Sequence, residues 1–322
     1  MGRQQVFRRW ALLLFPSLCA AIASATPPDP RLLSLVPHDP QLLAGISSSP
    51  GEGHFLLFTG NNEVDLQDFV ALSGVDDTRV IRQVILVASL NVAGQAEHSL
   101  LASGHFDQAR IFTAAVQNGA TVSEYRGIKL LVLQPFARER AVFKDVRWLA
   151  ILGSGVALFG TTASAQEEMD RYVDRNAPDP WLTQKLARMH SDDETWCIVE
   201  NFALNGDAQR ALSRLDRALA DLTGNGDAFQ FGIHLGRRVR FEYEITRASG
   251  GSPQTIFASL VRSLAGKGVK ESSLMPVSQT TSNGLSERGE LEVSRARYET
   301  WIEEMSARAL EPLRADTSAD HK

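Results

Sequence analysis

The stretch AFQFGIHLGRRVRFEYEI, residues 228–245, decides the predicted fold. Two β-rich runs, Ala228 to Leu235 and Val239 to Ile245, flank Gly236 and read as a hairpin. In the second arm Val239, Phe241, Tyr243 and Ile245 alternate with Arg240, Glu242, Glu244 and Thr246. A period of two predicts one buried face and one wetted face. Strands joined by a tight turn pair antiparallel, whereas a parallel α/β sheet needs a crossover between successive strands. The stretch therefore predicts an α+β fold with antiparallel sheets.

Outward from this hairpin, further elements follow the same logic. Strand candidates are Leu42 to Ile46, His54 to Thr59, Val80 to Leu90, Ser99 to Ser103, Gly127 to Leu133, Trp148 to Leu152, Val156 to Phe159 and Thr195 to Val199. Gly153-Ser154-Gly155 reads as the turn between two of them. Helical spacing marks Leu66 to Leu72, stopped by Gly74, and a helix capped by Asp107 with an inner stripe of Ile111, Phe112, Ala115 and Val116. Ser164 and Glu167 form a capping-box pattern for a helix carrying Met169, Tyr172 and Val173. Later helices are predicted after Asn205, with Leu212 to Leu222 inward, around Ile256 to Val261, and from about Ser294 to Ala309.

The order of elements repeats. Ile111-Phe112-x-x-Ala115-Val116 is matched by Ile256-Phe257-x-x-Leu260-Val261, and Val122-Ser123-Glu124 by Val277-Ser278-Gln279. The expectation is two similar α+β halves, 40–178 and 179–310, each an antiparallel sheet with amphipathic helices packed on one face. Proline-rich residues 26–39 form an extended leader, and 311–322 a disordered tail.

Residues 1–25 read as a secretory signal. Arg3, Arg8 and Arg9 precede an apolar run from Trp10 to Ile22, and Ala23-Ser24-Ala25 supplies the small residues of a cleavage site. The run is too short for a stable span of about 30 Å of hydrocarbon. Cys19 follows Leu18 behind Pro16-Ser17, a poor lipidation signal. Arg8-Arg9 leaves the general and twin-arginine export routes both open. Removing this segment takes three arginines and no acids, so the net charge moves from −5 to −8. That balance argues against a nucleic-acid partner. Cys197 is then the one mature thiol, and no internal disulfide is expected. No later stretch reaches the length of a membrane span.

His105 and Asp107 stand together at a strand-to-helix junction, but one His and one carboxylate leave a metal site two ligands short. His38, His54, His98, His190 and His234 occur singly, without a metal-binding spacing. Gly153, Gly155 and Gly160 miss the dinucleotide spacing. Asp221, Asn225 and Asp227 lack the EF-hand pattern. Ser47 to Ser49 has no nucleophile motif. Cys197 sits in an apolar run between Glu194 and Glu200, the setting of a buried hydrophobe. Arg237, Arg238 and Arg240, with Glu242 and Glu244, read as a solvated hairpin face with cross-strand ion pairs. No catalytic, cofactor or metal residue is assigned.

Leu35-Val36-Pro37-His38-Asp39-Pro40 running into Leu43-Ala44-Gly45-Ile46 resembles the opening of a group of uncharacterised exported bacterial proteins. Ser73 to Asp76, Leu101 to Asp107, Tyr125 to Ile128 and Phe159 to Thr162 extend the resemblance over about residues 35–176. It implies export and architecture, with no activity to carry over. The expected function is a non-enzymatic binding or scaffold module of the cell envelope, periplasmic or secreted, with a protein or peptide partner. The alternative is an envelope hydrolase whose site is assembled from distant residues. A third reading is an envelope-assembly accessory that holds peptides.

Overall fold

Short apolar runs bounded by turn residues make strands here far more often than helices. The computed structural model describes residues 27–38, 40–47, 81–90, 96–134, 147–153, 155–190, 192–200, 228–247, 277–281 and 284–300. The predicted elements around residues 54–59, 66–72, 205–222 and 256–261 lie outside them, as do the signal segment and the tail. The described residues fall into two compact units, divided between Ile198 and Val199.

In the first unit the elements run α1 (Pro30–Leu33), β1 (Leu42–Ser47), β2 (Ile81–Leu90), β3 (Ala96–Gly104), α2 (Gln108–Gln117), β4 (Thr121–Tyr125), β5 (Ile128–Val132), β6 (Trp148–Leu152), β7 (Val156–Gly160), α3 (Thr162–Val173), α4 (Pro180–Leu186) and β8 (Thr195–Val199). The sheet order is β8-β1-β2-β3-β7-β6-β5-β4. The pairs from β1 onward are antiparallel. α3 rests on β3, β7 and β6, and α2 rests on β4 and β5. Leu43, Ile85, Leu101, Leu130, Leu158, Met169, Trp196 and Ile198 belong to one buried core.

The second unit contains β9 (Ala228–Leu235), β10 (Arg238–Arg247), β11 (Val277–Thr281) and β12 (Gly284–Ser294), in the order β11-β12-β10-β9. The predicted hairpin is β9–β10, with Val239 opposite Leu235. Phe231 and Phe241 stack with centroids 5.5 Å apart. Tyr243 is opposite Gly289, where a Cβ would come within 2.3 Å of the tyrosine hydroxyl oxygen. A glycine at this position lets the ring lie flat across the neighbouring strand.

The expected pair of α+β halves, each with amphipathic helices over one sheet face, is overturned. Among the described residues antiparallel strands dominate, and the helices are short, from four residues in α1 to twelve in α3. The apolar stripes are too narrow for the expected role. α2 buries only Ile111 and Ala115, while Val116 is exposed. β7 and β8 are buried along their whole length, on both faces. Residues alternate sides along a strand, so such segments must be apolar throughout and show no amphipathic signal.

Smaller corrections have equally local causes. The leader is not extended: Asp29 caps α1, accepting from the Arg31 amide, and Leu32, Leu35 and Val36 enter the core. A proline at the first helical position suits this start, because its missing N–H has no partner to lose. The cap of α3 is Thr161, with Ser164 inside the helix, so the capping box does not form. Met169 is buried as expected, but Tyr172 and Val173 are exposed. The polar face of β10 is not uniformly wet, since Glu242 is 4% exposed. Two of its cross-strand ion pairs reach β12, Arg238 to Glu292 at 3.0 Å and Glu242 to Arg288 at 3.5 Å, while Gln230 of β9 donates to Glu244 at 3.2 Å.

Candidate functional site

β4 is the terminal strand of its unit's sheet, and in the sequence it stands out only where Val122-Ser123-Glu124 is echoed by Val277-Ser278-Gln279. Its sequence, TVSEY, lies between Asn118-Gly119 and Arg126-Gly127, and turn signals on both sides of β-branched and aromatic residues mark a strand. Arg126 and Gly127 have φ of 48° and 82°. Two positive φ values in a two-residue loop are what a type I′ hairpin turn requires, and its twist matches that of the flanking strands. Tyr125 then pairs with Ile128, Glu124 with Lys129 and Val122 with Leu131.

The left-handed conformation at Arg126 costs about 1 kcal/mol for a non-glycine residue, and its side chain supplies compensation. The guanidinium meets Asp170 of α3 at 2.8 Å and Asp174, the C-cap of that helix, at 2.8 Å. Tyr125 donates its hydroxyl to Asp170 at 3.2 Å and lies 5.9 Å from the Trp148 ring. Desolvation, then the Asp170 hydrogen bond, raises the Tyr125 phenol above its ordinary value. The two aspartates likewise raise the Arg126 guanidinium. At the other end of the strand, Gln134 donates to the Gly119 carbonyl at 3.2 Å, and the Ala120 amide donates to Ala115 at 2.9 Å. Both ends of β4 are thus pinned.

Between these pins the strand is open. Thr121, Val122, Ser123 and Glu124 are all exposed, covering both faces, and Val122 is 55% exposed. Among the described residues its one ladder partner is β5. An edge strand carries a row of main-chain donors and acceptors directed away from its neighbour, so it can add another strand.

The candidate catalytic residues are placed differently. His105 and Asp107 are both exposed, and Asp107 caps α2 by accepting from the Arg110 amide at 3.1 Å. His190 is exposed and His98 buried. Gly153 and Gly155 lie where β6 turns into β7, with Leu152 opposite Val156. Cys197 is buried, and burial pushes its thiol up to about 12. A thiol so held stays protonated and unreactive at neutral pH. Ser47 is buried and accepts from Gln83 at 3.0 Å. His54 and Asp221, Asn225 and Asp227 lie outside the described residues.

Three polar pairs that sequence spacing could not reveal come together from distant segments. Ser99 donates to Glu168, and Thr161 to Glu97. Glu168 is 0% exposed, and burial raises its carboxyl well above the ordinary value. It is sealed between α3 and β3, without access for a substrate. His38 lies 2.7 Å from Asp179, whose carboxylate also accepts from the Trp181 amide and so caps α4. The Trp181 amide and, to a smaller extent, His38 hold the Asp179 carboxyl below its ordinary value.

Among the described residues no three His, Cys, Asp or Glu side chains are grouped to hold a metal ion, and no helix is long and apolar enough to cross a membrane. Comparison with protein-family models, curated proteins and solved structures found no match.

Proposed function

We propose that this chain is exported to the cell envelope and acts there as a non-catalytic binding or scaffold module, periplasmic or secreted, for a protein or peptide partner. The observation that carries this reading is the open edge of β4, held at both ends and exposed on both faces. Pinning the strand before a partner arrives reduces the ordering cost of association. Export rests on the basic, apolar and small-residue segments of residues 1–25.

Hydrogen exchange on the purified mature protein, with and without a cell-envelope extract, tests the binding reading. Amides of residues 121–125 are expected to exchange more slowly when the extract is present. Unchanged exchange there, together with hydrolysis of envelope peptides or polysaccharide lost on substitution of a surface histidine such as His38, would replace it with the hydrolase reading. Mass spectrometry of the exported protein should show Thr26 as the first residue, and retention of residues 1–25 would overturn export by cleavage.

A further inference from the structure

We infer that the occupant of the β4 edge is an extended peptide segment, antiparallel to β4, carrying a basic residue opposite Glu124 and an aliphatic residue opposite Val122. This rests on the binding reading above and adds the chemistry of the partner.

The inner neighbour of β4 displays the code. On β5, Lys129 is opposite Glu124 and Leu131 is opposite Val122. Residues directly opposite in an antiparallel pair share a face and interact, with opposite charges favourable and like charges unfavourable. An antiparallel strand on the open side meets the same two side chains from the other flank. Read from N- to C-terminus, the segment is a basic residue, any residue, then an aliphatic one, as in Lys129-Leu130-Leu131. Residues 121–124 are exposed on both faces of β4, so no deep side-chain pocket is on offer. Affinity therefore comes from main-chain hydrogen bonds, and preference from these two positions.

A second copy of this chain is a poorer occupant. β4 contains no basic residue, so its counterpart in another copy offers Glu124 nothing. The adjacent base, Arg126, is held by Asp170 and Asp174.

The test uses the mature protein and fluorescent peptides of alternating polar and β-branched residues, one with Lys two positions before Val and one with Glu in place of Lys. The Lys peptide is expected to bind roughly tenfold more tightly than the Glu peptide, and to slow exchange at residues 121–125. Glu124→Gln should cost the Lys peptide roughly threefold and leave the urea midpoint in place. Glu124→Lys should reverse the preference; Glu124→Gln serves where lysine opposite Lys129 disturbs the hairpin. Equal binding of the two peptides, or binding without protection of residues 121–125, overturns the inference. So does concentration-dependent dimerisation through β4. If neither peptide binds but the envelope extract still slows exchange there, the occupant's chemistry is wrong and the binding reading survives. If nothing slows exchange, both fail.

Discussion

Replacing Glu168 by glutamine should remove a pH dependence from the stability of the first unit. The carboxyl is fully buried, one oxygen accepts from Ser99, and the other has no hydrogen-bond partner. Burial raises its pKa well above the ordinary carboxyl value; the Ser99 hydrogen bond opposes the shift, and the charge of Glu167 adds to it. Below the ordinary value of about 4.3, the folded and unfolded chains both carry the proton. As pH climbs past that value the unfolded chain releases it while the folded chain keeps it. Stability is therefore lost progressively until the folded group ionises in turn. Within this window one extra bound proton in the native state gives a slope of about 1.4 kcal/mol per pH unit. Glutamine has nearly the same shape and no proton to release, so its slope from this position is zero. Urea unfolding at a series of pH values above about 4.3 should show the stability of the parent relative to Glu168→Gln falling as pH rises, with a slope of at most about 1.4 kcal/mol per unit. Parallel pH profiles would refute the reasoning, because they would mean that Glu168 ionises alike in both states.

Other expectations follow from packing and caps. Gly45→Ala places a Cβ 2.1 Å from the Trp196 ring, on the neighbouring strand β8, and should cost about 1–3 kcal/mol in urea unfolding; a loss below about 0.5 kcal/mol would show that the ring moves freely. Asp107→Ala removes the side-chain cap of α2 and should cost about 1 kcal/mol, read as a shifted urea midpoint. Arg126→Ala should accelerate hydrogen exchange across residues 121–125 while barely moving the urea midpoint, since its ion pairs are partly solvated. Unaltered exchange at the strand would mean the clamp does not restrain it.

What could be read from residues alone was local. The β9–β10 hairpin, the Gly153 to Gly155 turn, the strand Thr195 to Val199 and the Asp107 cap depend on backbone geometry that a few neighbouring residues impose. The type I′ turn at Arg126-Gly127 and the strand before it are equally local, but TVSEY is short, exposed on both faces and carries no buried apolar stripe to mark it. The breadth of the sheet, and the modest share of helix, depended on which faces find cover. A five-residue apolar run looks alike in a buried strand and in a buried helix, and tertiary packing alone settles it. The same holds for Glu168: its helical position was predictable, but its meeting with Ser99, sixty-nine residues away, was not. A hydrogen-bonded turn is written in adjacent residues, whereas burial is a property of everything that folds against them.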